Sequence, residues 1–556
     1  MKTNGAGGPG SKAAGAECDY VVVGAGSAGC VAAWRLLAET DARVVLLETG
    51  SDYTSPYLKL SPGYSRLVPK GVHCTLHQTV PQVHAGNRVL EVATGRVLGG
   101  GSSVNAQVYM RGYRADYDQW GESAGSDLWS WSALLPHFRR LEGNQKFAGE
   151  FHGSAGPLTV ADPGFFCEYS QLFVKAAQAL GLPFTADFNV GAPVGTGFLQ
   201  FTARGGRRCS AAEAFLGKVR ANPRLRVVTQ ARVNSVVLEN QRAVAVEYVH
   251  GGHKHVLRCT QEVLMAAGAL ASPKLLMLSG IGPSEQLRRH GIPVRVDLPG
   301  VGQNLHDHAG APLVLAGNSR GYGYFRQDRG WRLIWNLLEY ALFRRGRLTT
   351  VGGEATSFHT TRESSTPTVQ IYCVPMIGYA NTGADAVPAV DGIKLHVTLL
   401  RPHSRGSLAL RSPNPADLPL VDPNYLADGR DLQNLVEGMR IAREIAATAP
   451  LSQELAGELR PGAAVCDDRA IADYIRSTVR TDWHPVGTCR MGRDNDPMAV
   501  VNETLAVRGV EGLRVIDASV MPNIVSANTN APTMALADRG LSLMLSRRRP
   551  AHELAN

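Results

Sequence analysis

Three glycines and one acidic residue carry the first chemical signal in this chain. The apolar run Val21-Val22-Val23 stops at Gly24, and Gly24-Ala25-Gly26-Ser27-Ala28-Gly29 reads G-x-G-x-x-G ahead of a helix-like stretch from Cys30 to Leu37. In such a turn the first glycine permits the tight bend, the second lets the backbone approach a pyrophosphate, and the third lets helix and strand pack closely. Ser27 and Ala28 then lie at a helix N-terminus, whose unpaired N–H groups receive phosphate charge. Glu48 follows the next apolar run, Val44 to Leu47, 19 positions after Gly29. That is the spacing of a carboxylate accepting hydrogen bonds from ribose hydroxyls. A carboxylate there disfavours a 2′-phosphate, so the expected dinucleotide is FAD or NAD rather than NADP.

The elements that position this turn read as strand–helix–strand from Tyr20 to Glu48, the opening of a doubly wound sheet. Ser51 to Ala85 is irregular and rich in Pro, Gly and His. Leu225 to Glu239 and Val244 to Val249 alternate apolar with polar residues like a hairpin. Glu262 to Gly268 reads as a buried strand rejoining the nucleotide sheet, with Leu513 to Ile516 a last parallel strand. Between them, Thr368 to Val374, Lys394 to Leu400 and Gly406 to Arg411 read as strands of an antiparallel sheet, and Asp431 to Ala447 as an amphipathic helix. The predicted fold is α/β (α+β overall): a Rossmann-like domain with a doubly wound parallel sheet, and a substrate domain on an antiparallel sheet covered by helices. The discontinuous nucleotide domain is expected from 17–60, 86–150, 205–305 and 475–550. The substrate domain takes 151–204 and 306–474, 61–85 covers the cofactor, and 1–16 is a disordered tail.

Bulk composition fits this picture. The chain has 556 residues, 44% hydrophobic and 19% charged, which calls for more than one packed region. Its net charge of +9 comes from scattered residues with small clusters such as Arg207-Arg208 and Arg547-Arg548-Arg549, a pattern of solvated surface that gives no sign of nucleic-acid binding. The nine cysteines are widely spaced without a C-x-x-C, which speaks against a zinc site or disulfide framework and predicts no metal. The Gly/Ala/Lys-rich start lacks the apolar core of a signal peptide, and no run is long enough to span a bilayer. A cytoplasmic location is expected.

Five ordered blocks extend the reading. They are the glycine turn; Gly95-Arg96-Val97-Leu98-Gly99-Gly100-Gly101-Ser102-Ser103-Val104-Asn105 with its continuation to Asp118; Gly268-Ala269-Leu270-Ala271-Ser272-Pro273 through Ser279-Gly280-Ile281-Gly282; Trp483-His484-Pro485-Val486-Gly487-Thr488; and Asn528-Thr529-Asn530-Ala531-Pro532-Thr533. Together they resemble the glucose–methanol–choline (GMC) oxidoreductases, and Tyr109-Met110-Arg111-Gly112 is similar to the bacterial alcohol dehydrogenase and oxidase branch.

The resemblance implies FAD. It carries over Arg96, Gly100, Ser103, Asn105, Ala106 and Val108, then Val233, Ala266, Asp517 and Ala518, then Asn530, Pro532 and Thr533 as cofactor contacts. Val104 stands where relatives with covalent FAD carry a histidine, so non-covalent FAD is expected. His484 matches the catalytic histidine block, and an imidazole is suited to removing a hydroxyl proton while hydride leaves the same carbon. Asn528 matches the second catalytic position; an amide can hold a hydroxyl but is no base. Trp483, Tyr372 and Met376 are expected pocket walls, while His306, His308, His396 and His403 read as structural. The implied activity is oxidation of a primary alcohol (aromatic, furanic or medium-chain aliphatic) to the aldehyde, with O2 or a quinone-like acceptor reoxidising the flavin. The alternative is a lyase on the same fold, a fatty-acid photodecarboxylase or a hydroxynitrile lyase. Against the former stand the intact Trp483-His484 pair and Leu400, where that branch has a cysteine.

Overall fold

A computed structural model of the chain describes residues 18–318, 321–362, 364–377 and 390–546. The tail expected at 1–16 and the cluster Arg547, Arg548 and Arg549 lie outside the described residues. The strands that matter here are β1 (Cys18–Val23), β2 (Val44–Leu47), β3 (Leu225–Val228), β4 (Arg232–Glu239), β5 (Arg242–His250) and β6 (His253–Met265). After them come β7 (Ala309–Gly317), β8 (Ala355–His359), β9 (Val369–Val374), β10 (Gly392–Leu399) and β11 (Leu513–Val515). The helices are α1 (Ser27–Glu39), α2 (Glu168–Ala179), α3 (Gly330–Phe343), α4 (Gly429–Ala447) and α5 (Asn530–Ser546).

The first sheet runs β3-β2-β1-β6-β11, all pairs parallel. Parallel sheets are covered on both faces, so their strands read as continuous apolar runs, and β2 is buried throughout. β6 is long enough to serve twice. Its second half pairs with β1 and β11, while His253 to Arg258 continue the antiparallel meander β4-β5-β6. The hairpin read from sequence is β4–β5; β3 leaves it to become the edge of the parallel sheet.

The second sheet is antiparallel, in the order β7-β10-β9-β8, extended by Gly195–Phe198 beside β8 and Leu455–Arg460 beside β7. Its strands alternate. Ile371, Cys373, Leu395 and Val397 pack into a core with Leu435 and Met439 of α4 and Phe173 of α2. The intervening residues Gln370, Tyr372, His396 and Thr398 form the opposite, polar face. Gly406–Ala409 was expected in this sheet but pairs instead with Gln303–Leu305 and Leu420–Asp422. The segment 51–85 is not irregular throughout: it holds short helical turns at Pro56–Lys59 and Tyr64–Leu67, and Cys74–Gln78 pairs with Glu91–Gly95. Among the described residues no helix is long and apolar enough to cross a membrane.

Buried ion pairs brace the polar interior. Arg111 Nη2 lies 2.7 Å from Glu142 Oε2 with both side chains fully buried. Removing Arg111 leaves Glu142 buried with only His152 as a charged neighbour, and losing one partner of a buried pair costs about 3–5 kcal/mol. Arg111→Ala is therefore expected to lose stability of that order in urea unfolding. Arg43→Ala, at the exposed 3.7 Å pair with Asp19, is expected to lose about 0–1 kcal/mol. Equal losses would contradict this reading.

Candidate active site

Four parallel strands end at the same edge, where ligands of open α/β sheets bind. β1 runs into Gly24, β2 into Glu48, β6 into Ala266, and β11 is followed by Asp517 and Ala518. Gly24 has φ +97°, and a Cβ on Gly29 would stand 1.9 Å from the Gly24 carbonyl oxygen. Turn and close packing thus require glycine at both, as the spacing predicted. The second block folds onto this turn: Gly99 N–H donates to Ala25 C=O at 2.7 Å, and a Cβ on Gly100 would meet Gly26 Cα at 2.7 Å. Glu48 is buried, and its two oxygens accept from the N–H groups of Ala25 (2.9 Å) and Gly50 (2.7 Å). Burial nevertheless pushes its pKa up. Ser27 Oγ donates to Asn530 Oδ1 at 2.7 Å, so the N-termini of α1 and α5 converge and their partial positive charges add.

Other predicted residues arrange around this edge. Asp517 accepts from Gly268 N–H and the Ser272 hydroxyl through one oxygen, and from Ser519 through the other. Its carboxylate thereby fixes the loop, with Ala518 next to it. Ser103 Oγ donates to Leu98 C=O, and Thr533 Oγ1 to Thr529 C=O; Pro532 is in the first turn of α5. Val233 lies in β4, two residues beyond Ala231, whose N–H donates to Glu48 C=O. Arg96 is exposed, Val108 pairs with Phe201, and Ala106 is half-buried between the block and that strand. Val104 is buried with Leu58, Leu67 and Val97. Arg208, expected from sequence to be part of a solvated surface cluster, is instead fully buried and donates to Ser102 C=O, Asn105 C=O and Asn105 Oδ1. Burial takes its pKa down to about 10.

His484 sits between the two sheets. Its Nδ1 is 3.0 Å from His308 Nδ1, and its Nε2 faces Asn528 Nδ2 at 3.4 Å. Burial lowers the pKa of His308 to about 3 and of His484 to about 4, so both rings are neutral near pH 7. The hydrogen-bond contacts then order the protons. His308 Nε2 is 3.1 Å from Leu400 C=O; a carbonyl only accepts, so this nitrogen carries the hydrogen. His308 Nδ1 is then a lone pair and accepts from His484 Nδ1–H. The remaining nitrogen of His484, Nε2, is left as a lone pair directed at Asn528. The asparagine is held in turn: Tyr372 OH donates to its Oδ1 at 3.2 Å, which presents the NH2 group to His484.

Position in the chain hid this arrangement. His306, Asp307 and His308 are consecutive and lead into β7. His306 Nε2 accepts from Ile524 N–H, bracing the loop that leads to Asn528, and its Nδ1 donates to Asn304 C=O. Asp307 accepts from His484 N–H at 2.7 Å, Tyr425 OH at 2.6 Å and the Thr481 hydroxyl; burial pushes its pKa up to about 7. An acid between two histidines ahead of a strand was the available sequence signal. The structural reading holds for His306, whereas His308 touches His484 directly. His396 donates to Asp482 at 2.7 Å, and the His403 N–H to Asp431. Trp483, at φ +61°, stays half-exposed beside the histidine. Met376 lies two residues past β9, its N–H bonded to Val374 C=O.

A dinucleotide edge facing a neutral, oriented imidazole is the equipment of an oxidoreductase, and this chain belongs to the GMC oxidoreductase family: the models of the family's N- and C-terminal regions match residues 18–310 and 402–537. It is 40% identical to an alcohol dehydrogenase [acceptor] of Pseudomonas putida, over 95% of both chains. It is 37% identical to mitochondrial choline dehydrogenase of Mus musculus, over 95% of this chain and 89% of that protein. Among solved structures, pyridoxine 4-oxidase from Mesorbium loti superposes with a TM-score of 0.86 at 29% identity, covering 96% of this chain and all of the other. Formate oxidase of Aspergillus oryzae RIB40, studied for FAD modification, gives 0.90 at 25%, covering 96% and 99%.

The hydrogen-bond chain makes His308 a positioning residue. His308→Leu removes the acceptor for His484 Nδ1–H and should lower turnover about 10²-fold, the low end of a general base's contribution. His308→Gln offers an amide oxygen in its place and should recover most of that loss. Equal activity in the two variants would contradict the assignment.

Proposed function

We propose that this protein oxidises a primary alcohol to the aldehyde, with His484 as the base, Asn528 holding the hydroxyl and a non-covalent FAD at the parallel-sheet edge. The observation that carries this is the contact geometry of His484, with Nδ1 3.0 Å from His308 Nδ1 and Nε2 3.4 Å from the Asn528 amide nitrogen. The residues fit the cofactor. Glycines at Gly24 and Gly29 make the turn, Glu48 offers its carboxylate at the ribose position, and the converging N-termini of α1 and α5 suit a diphosphate and an electron-rich ring edge. The buried valine at 104 offers no nucleophile for attachment. FAD bound there supplies the hydride acceptor. His484 Nε2 takes the hydroxyl proton while Asn528 holds the substrate oxygen, and Trp483, Tyr372 and Met376 wall the pocket.

In this reading 17–60, 86–150, 205–305 and 475–550 hold the cofactor, 61–85 covers it, and 151–204 with 306–474 hold the substrate. The alcohol dehydrogenase, choline dehydrogenase and pyridoxine 4-oxidase among the named relatives support the CH–OH reading. The electron acceptor, O2 or a quinone-like molecule, is assigned by the rate at which colour returns in air.

Benzyl, furfuryl and hexyl alcohols are expected to bleach the visible flavin band under anaerobic conditions for at least one member of the panel. His484→Ala should slow that bleaching about 10²–10⁴-fold with flavin still bound. Unchanged bleaching would defeat the base assignment. Acid precipitation should leave flavin in the supernatant; flavin in the pellet would overturn non-covalent binding.

A further inference from the structure

Helix α3 is inside out. Its apolar stripe, Trp331, Ile334, Trp335, Leu338 and Leu342, falls at i, i+3, i+4, i+7 and i+11, the spacing that ordinarily faces a core. Here the stripe faces outward: Trp331 is 72% exposed, Trp335 63% and Leu342 70%. Its two buried positions are polar or amphipathic, with Leu333 half-buried on the same face. Asn336 is buried and donates to Gln327 C=O at 3.0 Å, and Tyr340 is buried beneath the Arg344 guanidinium. A contiguous exposed apolar face of this kind marks an interaction surface.

Charge says what covers it. Between 321 and 347 the chain has six arginines and two acids. Both acids are engaged, Asp328 with Arg66 and Arg329, and Glu339 with Arg345. Arg326 and Arg329 stand exposed before the helix, and Arg344 and Arg345 after it. A second copy of the chain is a poor occupant. An antiparallel pairing sets the arginines at one end of α3 beside those at the other, and a parallel pairing sets each cluster against itself. An anionic bilayer accepts both features at once: tryptophans and aliphatic side chains enter the headgroup boundary while arginines at both ends meet lipid phosphates.

We infer that α3 is a peripheral membrane-docking helix that lies in the plane of an anionic lipid surface. The Tyr64 hydroxyl donates to Val351 C=O, and Arg66 pairs with Asp328, so the docking face adjoins the segment proposed to cover the cofactor. The inference does not depend on the substrate or on His484.

The holoenzyme, mixed with vesicles of phosphatidylcholine and phosphatidylglycerol and sedimented, should pellet with them. It should remain in the supernatant with phosphatidylcholine alone, and high salt should weaken binding. The double variant Ile334→Glu/Leu338→Glu should lose at least tenfold in vesicle partitioning while keeping turnover with a water-soluble acceptor within about twofold, a surface change being near neutral for the fold. Failure of the wild-type protein to pellet overturns the inference, as does equal pelleting of the variant. A dimer in vesicle-free buffer that the double variant splits into monomers would assign the face to a second copy instead.

Discussion

The hydrogen bond between the Nδ1 atoms of His308 and His484 is the constraint on which the site depends. Two neutral imidazoles can share such a bond only if one donates and the other accepts. Leu400 decides which, because its carbonyl demands the Nε2 proton of His308. The direction then passes to His484 and leaves its lone pair where a substrate hydroxyl would meet it. The proposed base is therefore oriented by a backbone carbonyl on the far side of a second histidine. Burial supports this by keeping both rings uncharged, so neither can break the sequence by becoming a double donor.

Everything that holds this pair comes from segments remote in the chain. Residues 306–308 lie at the start of β7, Leu400 follows β10, His484 is in a turn after Arg480–Thr481, and Asn528 precedes α5. An antiparallel backbone bridge between His306 and Val486, the Asp307 carboxylate on His484 N–H, and Arg401 against Asp116 at 2.6 Å lock these segments together. Asp116 in turn accepts from Ser526 N–H, two residues before Asn528. The polar face of the antiparallel sheet supplies Tyr372 to the same point. The site is thus the seam between a sheet that offers strand ends and a sheet that offers a face, and neither sheet contains it alone.

How much of this could be read from residues follows from locality. The glycine turn, Glu48 and the strands around them were legible because turn chemistry and acid lie within one strand–helix–strand unit. Of β6 only the apolar end, Glu262 to Met265, was legible; the polar stretch from His253 to Gln261 was not read as strand. The link between β3 and the parallel edge was not, since a short strand beside a hairpin looks like part of it and only tertiary pairing separates them. Gly406–Ala409 was misplaced for the same reason. His308 was missed because its partner lies 176 positions away and a lone histidine carries no sign of what its ring will face. The stripe on α3 has the period of a core-facing helix, and periodicity says which residues share a face without saying which way the face points.

The central claim is the placement of one proton, and histidine-ring nitrogen NMR reads it directly. In protein labelled with ¹⁵N-histidine, with His308→Leu and His484→Ala used to assign the signals, the account predicts a protonated Nδ1 and a lone-pair Nε2 for His484 near neutral pH. For His308 it predicts the reverse. A protonated Nε2 on His484, as the other tautomer or as an imidazolium, would contradict the account, because that ring could not accept a substrate proton.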